Sequence, residues 1–143
     1  MGVLLLFNGG LMLFSSLISF IYNDGVTFEI TLASFLVLSI GAILLLLGRQ
    51  HEKKIQKREG YLIVTFGWLL MTITGMIPYI LTDSFIDISS TFFETMSGYT
   101  ATGATILSDI ESLPAGILFW RSMTHWIGGM GIIVLAIAIL PLL

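Results

Sequence analysis

From Val3 to Tyr22 the chain runs 20 residues without a charge, and the pattern returns three more times. Comparable apolar stretches cover Val26 to Leu47, with Glu29 near the start, then Tyr61 to Leu81, then Ile117 to Leu143. About 20 apolar residues in a helix span the hydrocarbon core of a bilayer. Backbone polar groups have no water to turn to there, so each run has to satisfy its own hydrogen bonds as a helix. Composition agrees: 56% of residues are hydrophobic and only 10% charged, against about a quarter charged in soluble domains. The expected fold class is all-α, a polytopic membrane protein.

Orientation follows from the basic residues. Five of the six Lys and Arg residues lie in Arg49 to Gly60, and basic residues in short loops mark the cytoplasmic side. The same charges also suit a solvated helix extension or a surface attracted to anionic headgroups. With this loop inside, residues 1–48 form a hairpin whose N-terminus is cytoplasmic. The third span then runs outward and the fourth returns, leaving the C-terminus cytoplasmic too. Pro78 falls near the outer end of the third span, where a missing donor costs least. Trp120 and Trp126 suit the outer interface. Asn8 and the Gly9-Gly10 pair favour close helix packing over a lipid face. There is no cysteine, which excludes disulfides and thiol chemistry. No Lys or Arg precedes Arg49, so a secretory signal peptide is not expected.

Between the third and fourth spans, residues 82–113 carry no Lys or Arg but include Asp83, Asp87, Glu94, Asp109 and Glu111. Inside this region lies Phe92 to Thr105, too short and too polar to cross a membrane. Thr91 and Glu94 have the spacing of a capping box, which predicts a short helix over about 91–99. The threonine-rich continuation, about 100–105, is poor helix sequence and suits extended backbone. A half-crossing helix followed by extended chain is the layout of an ion-selective pore loop. In such a loop Thr100, Ala101, Thr102 and Gly103 present backbone carbonyls that replace the water of a cation such as K+. Gly103 permits a backbone angle that other residues avoid, and the helix aims its negative dipole end at the ion. A lone Thr-x-Thr-Gly string equally fits a simple turn in an outer loop. Phe92, Phe93, Met96 and Tyr99 argue against an exposed loop, because they are too apolar for one.

Glu94 has two readings, as a cap on the pore helix or as a group in the ion path, and the cap is preferred. The acidic residues at the mouth either concentrate cations or are simply solvated. In the fourth span Arg121, His125 and the Gly128-Gly129 pair share one helix face. Arg121 is near enough to the outer interface to snorkel. His125 suits packing and hydrogen bonding more than gating or proton relay. Gly128, Gly129 and Gly131 are expected to admit a neighbouring helix or the pore loop.

Taken together, Phe93-Glu94-Thr95-Met96-Ser97-Gly98-Tyr99-Thr100-Ala101-Thr102-Gly103-Ala104-Thr105 and Trp120-Arg121-Ser122-Met123-Thr124-His125-Trp126-Ile127-Gly128-Gly129-Met130-Gly131 resemble the first pore loop and following helix of the Trk/Ktr/HKT potassium transporter superfamily. The preceding hairpin is similar to that of the TrkH branch. The resemblance implies potassium uptake through a filter built from four helix–loop–helix repeats, each giving one strand that ends in a glycine matching Gly103. It also implies a cytosolic nucleotide-binding regulatory subunit of the TrkA type. This chain holds one repeat, so the expectation is the N-terminal portion of a longer transporter, with the remaining repeats, or other copies of the chain, as partners.

The expected organisation is therefore a transmembrane hairpin over 1–48, a cytoplasmic basic loop over 49–60, and one helix–re-entrant loop–helix repeat over 61–143. The expected setting is the bacterial inner membrane, with the pore loop facing outside, no enzymatic activity, no cofactor beyond transported K+, and no nucleic-acid partner. Two rivals remain. One is a non-conducting scaffold or regulatory subunit. The other is a membrane enzyme using Glu94 and His125, weakened by the absence of a recurring metal-ligand spacing.

Overall fold

The computed structural model describes residues 1–48 and 57–139, with side chains placed for 1–48, 60 and 62–133. Among the described residues six helices follow in order: α1 (Gly2–Tyr22), α2 (Thr27–Gly48), α3 (Lys57–Gly75), α4 (Ile77–Leu81), α5 (Ile88–Tyr99) and α6 (Ala115–Ile139). No strand occurs among the described residues. Residues 49–56 of the basic stretch lie outside the described residues, and Lys57 already opens α3. Three described stretches are long and apolar enough to cross a membrane: Gly2–Tyr22, Thr27–Gly48 and Leu62–Leu81. The expected fourth span is α6, 25 residues long.

α1 is built inside-out relative to a soluble helix. Its buried residues are Gly2, Leu5, Asn8, Gly9, Met12, Ser15, Ser16 and Ser19, which recur every three or four positions and so share one face. Phe7, Phe14, Leu17 and Phe20 point outward and are exposed. In lipid, apolar side chains gain nothing by turning inward, so helices meet through small and polar residues instead. The α1–α2 contact shows this at its tightest: a Cβ on Gly2 would stand 2.7 Å from the Gly41 carbonyl oxygen. Ser34 Oγ adds a bond to the Gly9 carbonyl at 3.1 Å. The helix ends on Asn23 in the left-handed region, φ 53°, a conformation that asparagine tolerates at a helix terminus.

The third span is not continuous. α3 stops at Gly75 and α4 begins at Ile77 with Pro78 in its first turn. Proline has no N–H to return to the carbonyl one turn back, that of Thr74; beside this break the indole Nε1 of Trp120 donates to the Gly75 carbonyl at 3.0 Å. That bond corrects the expectation for Trp120. It is fully buried rather than at an interface, because its N–H finds a carbonyl in the interior. Trp126 is half-exposed but lines a groove with Leu4, Phe7 and Ile63, toward the Gly2 end of α1. That is the end opposite the expected outer face, so the interfacial reading fails for it as well.

The pore helix also differs from expectation. α5 starts at Ile88, one turn before Thr91, with Asp87 in extended backbone as its N-cap and no side-chain capping bond. Thr91 Oγ1 instead donates back to the Asp87 carbonyl at 3.0 Å. The Thr91/Glu94 capping box does not form, because both residues already lie inside the helix. Twelve residues advance about 18 Å, so α5 does not cross a bilayer. It ends against the middle of α6, where a Cβ on Gly128 would sit 2.6 Å from the Gly98 carbonyl oxygen. Tyr99, Met71, Trp120, Ile127, Leu5 and Met12 form the core around that meeting point.

Candidate functional site

α5 ends in a closed turn. The N–H of Thr102 donates to the Ser97 carbonyl at 3.0 Å and that of Ala101 to the Gly98 carbonyl at 2.8 Å. This pair of bonds is a Schellman motif, which puts the residue after the C-cap in the left-handed region. That residue is Ala101, φ 53°, where glycine is the usual occupant and a Cβ carries strain. Thr100, at φ −87° and ψ 0°, belongs to the same turn. Residues 102–107 carry no regular secondary structure, so the non-helical stretch begins at Thr102, two residues later than the composition suggests, because the helix signals continue through its C-cap. Gly103 follows at φ +75° with nothing within 4 Å of a Cβ position.

The loop is held from behind and bare in front. Ser97 Oγ donates to the Ala104 carbonyl at 2.6 Å. Glu94 Oε2 accepts from Thr105 Oγ1 at 2.9 Å and from the Ile106 N–H at 3.2 Å. Thr100 and Thr102 hydroxyls meet at 2.8 Å. Residues 101–106 are nonetheless exposed, and they follow a helix that ends at the depth of the middle of α6.

Glu94 is the node of this arrangement. Its carboxylate is fully buried, and Arg121 Nε donates to its Oε1 at 2.7 Å. One oxygen thus binds the loop and the other binds α6. Neither sequence reading of Glu94 describes this position: it neither caps α5 nor lies on the bare side of the loop. Arg121 turns inward to it instead of snorkelling outward, since a buried carboxylate without a partner costs several kcal/mol (about 3–5). His125 stands apart from the loop. Its Nδ1 pairs with the Arg121 carbonyl of its own helix at 2.9 Å.

The α6 glycines divide by contact. Gly128 lies against the Tyr99 and Gly98 carbonyls, and Gly131 against the Trp68 ring. Gly129 has nothing within 4 Å of a Cβ position among the described residues. From the other side Gly98 lies against Thr124, so α5 and α6 touch glycine to neighbour in both directions. No group of three His, Asp or Glu residues converges among the described residues, and a carbonyl-lined ion path needs none.

Two residues of the site were missed as such in the sequence. Tyr99, immediately before the loop, is fully buried and its hydroxyl donates to Asn8 Oδ1 at 2.7 Å. Asn8 is fully buried on α1. The one signal available was an asparagine in an otherwise apolar run, which marks a polar helix contact without naming its partner.

Comparison with known proteins gives one consistent picture. Residues 26–143 match the family model of TrkH, described as a cation transport protein. The chain is 44% identical over 143 residues to the Trk system potassium uptake protein TrkH of Salmonella typhimurium, covering 99% of this chain and 30% of that protein. It is 40% identical over 92 residues to the Trk system potassium uptake protein TrkG of Escherichia coli, covering 63% of this chain and 19% of the relative. Among solved structures it superposes on the potassium transporter TrkH from Vibrio parahaemolyticus with a TM-score of 0.90 and 38% identity, over 98% of this chain and 30% of that one. The chain thus spans about a third of the length of the relatives it matches most fully.

Proposed function

This chain belongs to the TrkH family of cation transport proteins, and from that premise we propose that it supplies one of four filter strands of a potassium-uptake pore. The carrying observation is the contrast across residues 101–106, braced by Ser97 and Glu94 on one side and exposed on the other. Irregular backbone at membrane depth is tolerated only where protein buries it or where it lines a wet cavity. Nothing in this chain covers that face among the described residues, so the remaining repeats of a transporter, facing it across a shared axis, are its natural complement. Relatives about three times as long carry a potassium-uptake name, which supports the ion and the fragment reading together.

In this reading the carbonyls of Thr100, Ala101, Thr102 and Gly103 take the place of water around K+. Left-handed backbone at Ala101 and Gly103 sets the directions in which those carbonyls point. α5 contributes its negative dipole end, and Glu94 and Arg121 keep the strand in register with α6. Transport is passive through the filter, driven by a membrane potential that contributes about 2.3 kcal/mol per charge per 100 mV, and no turnover chemistry is involved. The basic loop faces the cytoplasm, the loop mouth faces outside, and a nucleotide-binding subunit of the TrkA type regulates the assembled pore. The organisation is a hairpin over 1–48, a basic stretch over 49–60 whose last four residues already belong to α3, and the first pore repeat over 61–143.

The test is Gly103→Ser in the complete transporter, assayed by rescue of a potassium-uptake-deficient strain and by K+/Na+ discrimination. A side chain at φ +75° is strained and points into the open side of the loop, so selectivity or uptake falls. Full rescue with unaltered discrimination would sink the assignment.

A further inference from the structure

The N-terminal hairpin precedes the pore repeat and carries no pore-loop sequence, yet it is bonded to that repeat by two separate routes. At its Gly2 end, Asn8 Oδ1 accepts from the Tyr99 hydroxyl at 2.7 Å. At its other end, the turn between α1 and α2 grips the start of α6. Asp24 Oδ2 accepts from the Gly116 N–H at 2.8 Å, and Ser15 Oγ donates to the Gly116 carbonyl at 2.5 Å. A Cβ on Gly116 would stand 2.6 Å from Ser19 Cβ and 2.7 Å from Ile30 Cδ1, so the fit leaves no room for slippage. Five residues further along α6, Arg121 holds Glu94, and Glu94 holds Thr105 and Ile106.

The first route is the more direct. Tyr99 is confined on three sides: its ring packs against Gly75, its carbonyl lies against Gly128, and its hydroxyl meets Asn8. Both Tyr99 and Asn8 are fully buried. Asn8 in turn reaches Thr74 Oγ1 with its amide nitrogen at 3.4 Å, and Thr74 Oγ1 donates to the Leu70 carbonyl at 2.9 Å. The tyrosine is thereby tied to α1 and α3 at once, and its C-terminal neighbour is Thr100.

Resting on the filter reading above, we propose that Asn8 is a positioning residue for ion selection, acting through the Tyr99 hydroxyl on the proposed filter residues that begin with Thr100. The hairpin is then part of the selectivity apparatus. The physical reason is an asymmetry. A buried hydroxyl that loses its acceptor seeks another, whereas removing both partners together leaves nothing unsatisfied. Removing Asn8 alone therefore moves Tyr99, and Tyr99 cannot move without the residue it is bonded to in the chain.

The experiment measures K+/Na+ discrimination and Rb+ uptake KM in the complete transporter reconstituted in liposomes, for Asn8→Leu, Tyr99→Phe, the double variant and Gly103→Ser. Tyr99→Phe removes the same hydrogen bond without adding volume, so it serves if Asn8→Leu does not fold. Asn8→Leu, which leaves the hydroxyl without its acceptor, and Tyr99→Phe, which leaves Asn8 Oδ1 without its donor and the ring without its tether to α1, are each expected to lower K+/Na+ discrimination about fivefold, the scale of one buried hydrogen bond. The double variant is expected to be no worse than Asn8→Leu alone. Unchanged discrimination in folded Asn8→Leu and Tyr99→Phe, with Gly103→Ser altered, overturns the inference and leaves the filter reading standing. Unchanged discrimination in Gly103→Ser overturns the filter reading, and the inference with it. A lowered melting temperature with normal discrimination would show that the Asn8–Tyr99 bond is a packing contact only, which also overturns the inference.

Discussion

Arg121 Nε lies 2.7 Å from Glu94 Oε1, with the glutamate side chain fully buried and the arginine 15% exposed. One ion pair thus joins a helix that continues across the structure to a helix that stops at its middle, and the free oxygen of the same carboxylate carries the loop. A charge so buried depends on its partner. Arg121→Gln is expected to destabilise the protein by about 3 kcal/mol and to abolish potassium uptake. Glu94→Gln leaves the partly exposed Arg121 charge without its carboxylate but keeps an amide oxygen that can accept one bond, so it is expected to cost less stability while still loosening the loop from α6. Thermal unfolding in detergent, measured beside uptake, checks both. Equal stability of Arg121→Gln and the parent would contradict the account.

Gly128 and Gly129 are neighbours with opposite surroundings. A methyl at 128 meets the Tyr99 and Gly98 carbonyls, while one at 129 meets nothing within 4 Å among the described residues. Displacing backbone is expensive, and alanine is otherwise the better helix former by about 0.5–1 kcal/mol. Gly128→Ala is therefore expected to push α5 off α6 and lose most of the uptake, with a markedly smaller effect from Gly129→Ala. Uptake and folded yield of the two variants, compared side by side, settle the order.

Asp24 sits in the turn between α1 and α2. Burial raises its pKa, but the bonds from the Ser19 hydroxyl and from the Gly116 and Val26 N–H groups outweigh that, and the net direction is downward. A carboxylate with a depressed folded pKa stabilises the fold above its unfolded pKa, and that stability is lost as pH falls through the folded value. The parent is thus expected to lose part of its stability on acidification below the ordinary aspartate range near 3.9. Asp24→Asn, which cannot accept from all three donors, is expected to be less stable at neutral pH and to lose less on acidification. Melting temperatures of the two across pH 7 to 3 give the comparison.

Trp120→Phe keeps an aromatic ring in the core but removes the N–H that reaches the Gly75 carbonyl. The break between α3 and α4 then holds an unsatisfied buried acceptor, which costs about 1–3 kcal/mol. A fall of that size in unfolding free energy is expected, and an unchanged value would show that the break at Met76 does not depend on Trp120.

Much of this architecture is legible in the chain. Apolar runs of spanning length announce the helices, and the polar interruption between the third and fourth announces a loop that turns back. The residues that bind across helices are harder to read. Nothing local to Glu94 distinguishes a cap three residues after a threonine from a brace reaching Thr105 and Arg121, because the difference lies in where α5 begins and what α6 brings beside it. Ser-Ser-Thr, ahead of the apolar residues, extends the helix by a turn since Asp87 can take the cap position in extended backbone. Trp120 carries the same ambiguity: an indole near a helix end suits an interface equally well until the fold brings the Gly75 carbonyl beside it. Asn8 and Tyr99 are 91 residues apart, and no periodicity links them.

The central claim is that the carbonyls of Thr100 to Gly103 contact the transported ion. Rubidium is a close chemical substitute for potassium and scatters anomalously, so a crystal of the complete transporter grown in RbCl places the ion directly. The account predicts an anomalous peak on the exposed side of the loop, within coordinating distance of backbone oxygens in Thr100 to Gly103. Rubidium peaks confined to other parts of the transporter, with none beside these carbonyls, would contradict it.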